Sequence, residues 1–263
     1  MSQDQGTILV TGSNRGIGLE FVKQYIKHNW TVIATCRKPS EADELQSLAK
    51  LNDNISVLSA DITQQESIDS LSRELDNQPI DILINNAAYL GPPDPQKFGD
   101  IDYGLFTKSF EVNAIGPIRI TEKLIDNVRA GEMKKIIFLG SAAGSIAQIA
   151  PPVTLYSYRS SKAALHLAVH NLYHELATED IMVSLINPGL VDTRGFLDLQ
   201  PNDPIPEELT KMVPEPLIRM IQEGKIPMIT TYESVTQMMS YIDALTAETK
   251  PLFVNCDGTP MPW

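Results

Sequence analysis

Short apolar runs rich in β-branched residues alternate along the chain with longer segments whose apolar residues recur at helical spacing. Apolar runs without alternating polar positions are typical of strands buried on both faces of a parallel sheet. Six such runs are predicted to be strands: residues 7–10, 31–36, 55–60, 80–84, 135–140 and 182–186. The helices are predicted at 19–28, 64–77, 102–130, from the region of Tyr158 to about 179, and at 233–245.

Strands that alternate with helices predict an α/β fold with a parallel sheet covered by helices on both faces. Right-handed crossovers leave a crevice at the carboxyl ends of such strands. Polar residues fall at these strand ends and are predicted to share one rim: Ser13, Asp61, Asn86, Ser141 and Asn187.

Composition and charge limit the classes of partner. The chain has 263 residues, of which 43% are hydrophobic and 21% charged, as in an ordinary globular protein with a sizeable core. Because no repeat or linker divides it, we expect one domain over 1–263. The net charge of −12 argues against nucleic-acid or anionic-membrane partners. With no signal-like start, no long apolar run and only two cysteines, a cytoplasmic protein is expected.

A glycine-rich turn, Thr11-Gly12-Ser13-Asn14-Arg15-Gly16-Ile17-Gly18, joins the first strand to the first helix. Glycines let a backbone approach a diphosphate, which then lies at the amino terminus of the helix. The spacing differs from the best-known dinucleotide fingerprint, and a purely structural turn is the alternative. The second strand ends in Cys36, Arg37 and Lys38 without a carboxylate. Since guanidinium groups suit phosphate, Arg37 and Arg15 favour NADP(H), unless they are only solvated surface charges.

Tyr158 and Lys162 stand four residues apart and so share one face of a helix. A positive charge near a phenol favours the phenolate and makes the pair a candidate general acid and base. Taken alone, such a pair is more often structural. Further along this helix, His166, His170 and His174 form a stripe, which predicts packing rather than a metal site.

Residues 194–227 are interrupted by prolines and contain Met212 and Met220 among short helical pieces. A connection this long is typical of a substrate lid, and a packed insertion is the alternative.

Taken together, the motifs resemble the short-chain dehydrogenase/reductase family over essentially the whole chain. In chain order they are Thr11-Gly12-x-x-x-Gly16-x-Gly18, Asn85-Asn86-Ala87-Ala88, Asn113, Ser141, Tyr158-x-x-x-Lys162 and Pro188-Gly189-x-x-x-Thr193. Within the family, the stretches Thr35-Cys36-Arg37 and Phe253-Val254-Asn255-Cys256-Asp257-Gly258 with Pro262-Trp263 are most similar to sniffer-type and C-factor-type carbonyl reductases. The resemblance implies a Rossmann-type doubly wound domain with about seven parallel strands, and a homodimer or homotetramer.

The resemblance also implies roles for individual residues. Tyr158 would donate the proton, Lys162 would lower its pKa and bind the nicotinamide ribose, Ser141 would bind the carbonyl, and Asn113 would hold a water. In the implied cofactor site, the turn with Gly12, Gly16, Ile17 and Gly18 would hold the diphosphate, and Ser13, Arg15 and Arg37 would lie at the 2′-phosphate. Asp61 and Ile62 would lie at the adenine, Asn86 and Ala87 at the nicotinamide-side ribose, and Pro188, Gly189, Val191 and Thr193 at the carboxamide.

Several alternatives remain open. The usual family spacing selects Ser145 as the catalytic serine, whereas the end of the fifth strand selects Ser141, which we prefer because loops absorb insertions. Ala88 replaces the usual glycine, a change that requires a negative φ there.

From the resemblance as a whole, we expect reduction of a ketone or aldehyde with NADPH, or the reverse oxidation. A non-catalytic NADP(H)-binding sensor is the alternative, and a dehydratase or epimerase is a third.

Overall fold

Seven parallel strands form the central sheet of the protein, seen in a computed structural model that describes residues 5–92, 96–149, 155–200, 203–210, 213, 215–250 and 252–263. The strands are β1 (Thr7–Thr11), β2 (Thr31–Cys36), β3 (Ile55–Ser59), β4 (Ile82–Asn85), β5 (Lys135–Leu139), β6 (Met182–Asn187) and β7 (Phe253–Asn255). They pair in parallel in the order β3-β2-β1-β4-β5-β6-β7. The predicted α/β fold with a doubly wound parallel sheet is confirmed.

Ten helices occur in the described chain. They are α1 (Gly16–Lys27), α2 (Asp43–Leu51), α3 (Gln65–Leu75), α4 (Tyr103–Phe110), α5 (Gly116–Lys123), α6 (Ile125–Ala130), α7 (Tyr156–Leu176), α8 (Glu207–Thr210), α9 (Glu215–Gln222) and α10 (Thr231–Ala244). Short 3₁₀ turns lie at Pro39–Glu41, Ala142–Gly144 and Ala177–Glu179. None of the helices in the described ranges is long and apolar enough to cross a membrane.

The strands separate two apolar layers because successive side chains point to opposite faces. In β1, Ile8 and Val10 join a core with α1, α2 and α10, whereas Leu9 joins a core with α3 and α5 to α7. All three side chains are fully buried. This burial on both faces explains why the strands are continuous apolar runs in the sequence.

The segment predicted to be largely helical over 102–130 is helical in the structure, but a π-helical turn divides it. After α4 the backbone widens into a π-helical turn, Glu111–Ile115, and α5 then begins with Pro117 in its first turn. Proline lacks the amide hydrogen that a continuous helix would need at this point. The division matters for the site because Asn113 lies in the widened turn.

The segment after β6 leaves the sheet through a short two-stranded ladder. Val191–Asp192 pairs in parallel with Ile229–Thr230 and brings the two ends of the segment together. We call this two-stranded ladder the neck, or neck ladder, of the segment. Beyond the neck, the described residues form a small core of their own around Phe196, Leu209, Ile218 and Ile221. Of the features singled out in the sequence, Pro201, Met212 and Pro214 lie outside the described residues.

Asp81, directly before β4, joins three parts of the chain. Its carboxylate accepts hydrogen bonds from the amides of Thr7 at 2.7 Å, Glu132 at 2.8 Å and Met133 at 3.2 Å. The residue is 7% exposed. These bonds hold β1, β4 and the approach to β5 in register at the edge of the sheet opposite the carboxyl ends.

We predict that Asp81→Ala lowers the free energy of unfolding by about 3 kcal/mol, because it leaves buried amide donors without partners. Urea denaturation measures the change. Asp53→Ala is the matched control, since Asp53 is exposed in the turn before β3 and its removal should change stability little. Equal unfolding midpoints for the two variants would contradict this role for Asp81.

Candidate active site

A cleft of ≈ 1370 Å³ opens at the carboxyl ends of the strands. It lies where the strand order reverses between β1 and β4, the position at which open α/β sheets bind ligands. Of the 19 residues expected at the site, 13 line the cleft: Gly12, Arg15, Gly16, Ile17, Arg37, Asp61, Ile62, Asn86, Ala87, Tyr158, Lys162, Pro188 and Thr193. Ser141 directly follows the lining residue Gly140.

The glycine turn is held against the end of β4. Gly12 has a left-handed φ of +67°, and a Cβ there would stand 2.8 Å from Ala87 Cα. The Asn86 side chain donates to the carbonyls of Thr11 at 2.8 Å and Gly12 at 3.0 Å. A side chain at Gly18 would collide with this amide. Gly18 therefore lies behind the wall and makes room for the contact that shapes the turn.

Ser13 is not among the residues that line the cleft, and its expected place at the cofactor stays a prediction. Ser13 is fully buried, and its hydroxyl donates to the Val10 carbonyl at 2.6 Å. The hydroxyl thus ties the turn back to β1. Asn14 and Arg15 line the cleft instead.

Three guanidinium groups converge on the cleft from different elements: Arg15 from the glycine turn, Arg37 from the end of β2, and Arg194 from the segment after β6. Desolvation, followed by the charges of Arg194 and Arg37, lowers the pKa of Arg15. The structure gives none of the three guanidinium groups an ion pair or hydrogen bond to another described residue. Positive groups gathered without an acidic partner form a site for an anion.

The loop after β3 forms the next part of the wall. Asp61 accepts hydrogen bonds from the amide of Thr63 at 3.0 Å and from its hydroxyl at 2.7 Å. Arg119 donates to the Thr63 carbonyl at 3.1 Å. These contacts hold Asp61 and Ile62 at the surface of the cleft.

Tyr158 and Lys162 lie together near the start of α7. Lys162 is 3% exposed, and its ammonium group donates to the Leu139 carbonyl at 2.7 Å. Burial lowers the pKa of Lys162 to about 8. Burial also raises the pKa of Tyr158, although a hydrogen bond with Ser141 partly offsets the shift. Desolvation is thus the largest influence on the pKa of Tyr158, and the expected lowering of this pKa by Lys162 stays a prediction.

The structure separates the two candidate serines. The Ser141 side chain acts on Tyr158 and lowers the pKa of its hydroxyl. Ser145 is fully buried, and its hydroxyl donates to the Pro262 carbonyl at 2.8 Å. Tyr158, and not Tyr156, lies in the cleft wall. Part of the loop between Ser145 and α7, residues 150–154, lies outside the described residues.

Asn113 lies behind the wall rather than in it. Its side-chain carbonyl accepts from the Tyr89 amide at 2.7 Å, and its side-chain amide donates to the Tyr89 carbonyl at 2.8 Å and to Ser161 at 3.0 Å. The side chain thus joins α7 to the cleft wall at Tyr89. Its expected water-binding role stays a prediction.

The residues after β6 divide in a similar way. Pro188 and Thr193 line the cleft, and a Cβ at Gly16 would stand 3.2 Å from the Thr193 methyl carbon. Gly189 has a φ of +86°, and Val191 pairs with Ile229 in the neck ladder. These two residues shape the connection without forming part of the wall.

The histidine stripe packs against aromatic rings. The rings of His166 and Phe253 have centroids 4.6 Å apart, and those of His170 and Trp263 are 5.1 Å apart. His166 Nε2 also accepts a hydrogen bond from the Ser141 amide at 3.3 Å. Burial, with a smaller effect from the charge of Lys162, lowers the pKa of His166 to about 3. A neutral His166 thus supports the backbone of Ser141, a contact that sequence reasoning missed.

Comparison with known proteins decides the family. A family model described as short chain dehydrogenase matches residues 6–203. The chain belongs to the short-chain dehydrogenase/reductase family.

Individual relatives agree with this assignment. The chain is 31% identical over 185 residues to C-signal of Myxococcus xanthus, with 70% of this chain and 93% of that protein covered. The carbonyl reductase Sniffer of D. melanogaster superposes with a TM-score of 0.79 at 26% identity, covering 98% of this chain and 99% of that one. An NADPH-bound carbonyl reductase from chicken fatty liver superposes with a TM-score of 0.78 at 25% identity, covering 98% of each chain.

One departure from the family pattern is explained by the backbone. The non-glycine residues with positive φ in the described ranges are Asn29, Asp76, Lys134, Leu155 and Asp180. Ala88 is not among them, so its side chain fits without strain where the short-chain dehydrogenase/reductase pattern has glycine.

Gln96 is a second supporting residue that sequence reasoning missed. It is 1% exposed, and its side-chain carbonyl accepts hydrogen bonds from the Ser157 hydroxyl and, at 3.4 Å, from the Tyr158 amide. Its amide donates to the carbonyls of Leu90 and Pro92. Gln96 therefore attaches the start of α7 to the loop after β4, and a single glutamine carries no sequence signal for such a role.

The pKa of Lys162 yields a prediction for stability. Because this pKa falls from 10.5 to about 8 on folding, the unfolded chain binds more protons than the folded chain between these pH values, and stability must rise with pH there. Wild type should therefore gain up to about 3 kcal/mol relative to Lys162→Met between pH 8 and pH 10.5. Urea denaturation of both proteins across this range measures the gain; a constant difference would show that Lys162 is not titrating as a buried group.

Proposed function

We propose that this short-chain dehydrogenase/reductase is an NADPH-dependent oxidoreductase that reduces a ketone or aldehyde carbonyl to an alcohol, or catalyses the reverse reaction. The observation that carries the proposal is the placement of Tyr158 and Lys162, with Ser141 acting on Tyr158, in the same cleft as three arginines that form no ion pair with a described residue. The chicken carbonyl reductase with the similar fold is an NADPH-bound protein, which supports the choice of cofactor.

The chemistry of the donor set fits a phosphorylated dinucleotide. The turn from Gly12 to Gly18 would hold the diphosphate at the amino terminus of α1, where amides without helical partners favour an anion. Arg15 and Arg37 would hold the 2′-phosphate, and Asp61 with Ile62 would border the adenine. Asn86, Ala87 and Lys162 would border the nicotinamide ribose, with Pro188 and Thr193 beside the carboxamide.

The reaction adds one hydride and one proton across the carbonyl bond. NADPH supplies the hydride when bound. The Tyr158 hydroxyl donates its proton to the carbonyl oxygen as negative charge grows there, and the Ser141 hydroxyl donates a hydrogen bond to the same oxygen. Below about pH 8, Lys162 carries a positive charge that favours the phenolate left on Tyr158.

A non-catalytic sensor would need only the cofactor half of the cleft. The contacts of Ser141 with Tyr158 and with the neutral His166 maintain a second, reactive half. This is why we favour an enzyme over a sensor. The carbonyl reductases with similar structures support a reductase over a dehydratase or epimerase.

We predict that Tyr158→Phe lowers turnover by at least a hundredfold, because the proton donor is removed. NADPH affinity should stay within about threefold, since the ring and the cofactor contacts remain. Loss of NADPH absorbance with a panel of ketones and aldehydes measures turnover, and fluorescence titration measures binding. Activity above a tenth of wild type would contradict the assignment of Tyr158.

Two serine variants provide the matched comparison for this experiment. Ser141→Ala should lower kcat by about a hundredfold through loss of a donor to the oxygen. Ser145→Ala, which removes a hydrogen bond remote from Tyr158, should leave kcat within a few-fold. The reverse order of effects would assign the catalytic role to Ser145.

We propose further that residues of about 194–227 act as a substrate lid on this single domain. The neck ladder and the small separate core support this, because they let the segment move as a unit relative to the sheet. A segment of this kind can admit a small carbonyl or alcohol substrate and then cover it.

We also propose a cytoplasmic homodimer or homotetramer. The support is apolar surface on the outer helices: Leu167 of α7 is 64% exposed and Tyr103 of α4 is 75% exposed. Burying such residues between subunits removes apolar area from water. Sedimentation velocity should give a mass at least twice that of the chain, and Leu167→Asp should reduce it; a monomeric wild type would contradict the proposal.

A further inference from the structure

The neck of the lid segment is built to hold one arginine at the cleft. One Asp192 carboxylate oxygen accepts hydrogen bonds from the amides of Arg194 at 2.9 Å and Gly195 at 2.8 Å, and the other accepts from Leu197 at 2.8 Å. Asp192 itself is held in the ladder with Thr230. The backbone of Arg194 is therefore fixed on a tight turn, whereas its side chain forms no hydrogen bond or ion pair with another described residue.

This turn contacts the glycine-rich turn directly. Thr193 stands against Gly16, the first residue of α1, with its methyl carbon 3.2 Å from the position of a Cβ there. Arg194 follows it and lines the same cleft as Gly12, Arg15 and Gly16. The side chain of Arg194 consequently lies near the amino terminus of α1, where free amides attract an anion.

The charges around Arg194 also require an anion. The charges of Arg194 and Arg37 both lower the pKa of Arg15, so each of the two repels Arg15. Glu41, the acid on the β2 side of the cleft, is already paired with Lys38 at 2.8 Å. Three guanidinium groups held close without a counter-charge are stabilised when an anion binds among them.

We propose that Arg194 binds the diphosphate of the dinucleotide from the lid side, opposite the glycine turn. The inference rests on the proposed NADPH-dependent function and extends it to a residue of the lid neck. Arg37, at the end of β2, remains at the 2′-phosphate. Because Arg194 belongs to the lid segment, the bound diphosphate joins that segment to α1, and cofactor binding holds the neck in place.

The test is equilibrium binding of NADPH and of NADH, measured by fluorescence titration without substrate. Arg194→Ala should weaken both ligands by about tenfold, since both carry the diphosphate. Arg194→Lys should recover part of the loss, because it keeps the charge without the planar fork. Arg37→Ala should weaken NADPH far more than NADH.

Lys225→Ala is the matched control, because it removes one positive charge from the same segment at an exposed position paired with Glu223. It should change neither affinity by more than twofold. As a second readout, NADPH should protect the bonds of residues 194–200 from limited proteolysis in wild type and less so in Arg194→Ala.

Three results would overturn the inference. Unchanged affinity for both ligands in Arg194→Ala would remove Arg194 from the site, and a loss confined to NADPH would assign it to the 2′-phosphate instead. Equal losses of affinity in Lys225→Ala and Arg194→Ala would show that removing any positive charge from the segment has this effect, without a specific contact from Arg194. Wild type that binds neither dinucleotide would overturn the proposed function itself, which these three results leave intact.

Discussion

The site depends on the hydrogen bonds that join the ends of β1 and β4. The Thr11 hydroxyl accepts from the amides of Asn86 and Ala87, each at 3.0 Å, and the Asn86 side chain donates back to the carbonyls of Thr11 and Gly12. These contacts fix the glycine turn at the point where the strand order reverses. They require glycine at position 18, since a Cβ there would displace the Asn86 amide. The cleft is thus shaped before any ligand arrives, which lowers the entropic cost of binding.

Around this fixed turn, the protein leaves positive charge unpaired. A chain with a net charge of −12 has enough carboxylates to neutralise its surface arginines, yet Arg15, Arg37 and Arg194 face the cleft without one. The polar groups at the Tyr158 end of the cleft also lack a partner of opposite charge among the described residues. Lys162 is buried with only a carbonyl as partner, and Tyr158 is held by Ser141. A bound dinucleotide would place its phosphates among the arginines and its nicotinamide ribose beside Lys162, and would so provide polar partners at both ends of the cleft.

The sequence predicted the strands and the rim because their causes are local. Strands buried on both faces must be apolar throughout, and the residues that follow them must lie at one edge of the sheet. The segment over 102–130 is largely helical, as predicted, but the sequence pattern did not indicate the π-helical turn Glu111–Ile115 that precedes Gly116 and Pro117. Periodicity extends across such a break because the apolar spacing on either side stays helical.

What could not be predicted depends on contacts between residues distant in the chain. The support of Ser141 by His166 and of α7 by Gln96 joins separate elements. The direction of the Tyr158 pKa shift depends on desolvation, which a pairing argument from sequence omits. Arg194 lies beyond the last recognised motif residue, and only the neck ladder brings it to the cleft.

The most direct measurement of the central claim is a crystal structure of the unmodified chain with NADPH. We expect the 2′-phosphate between Arg15 and Arg37, the diphosphate on the glycine turn, and the nicotinamide facing the Tyr158 hydroxyl. A dinucleotide bound elsewhere, or one that lies in this cleft with its nicotinamide directed away from Tyr158, would contradict it.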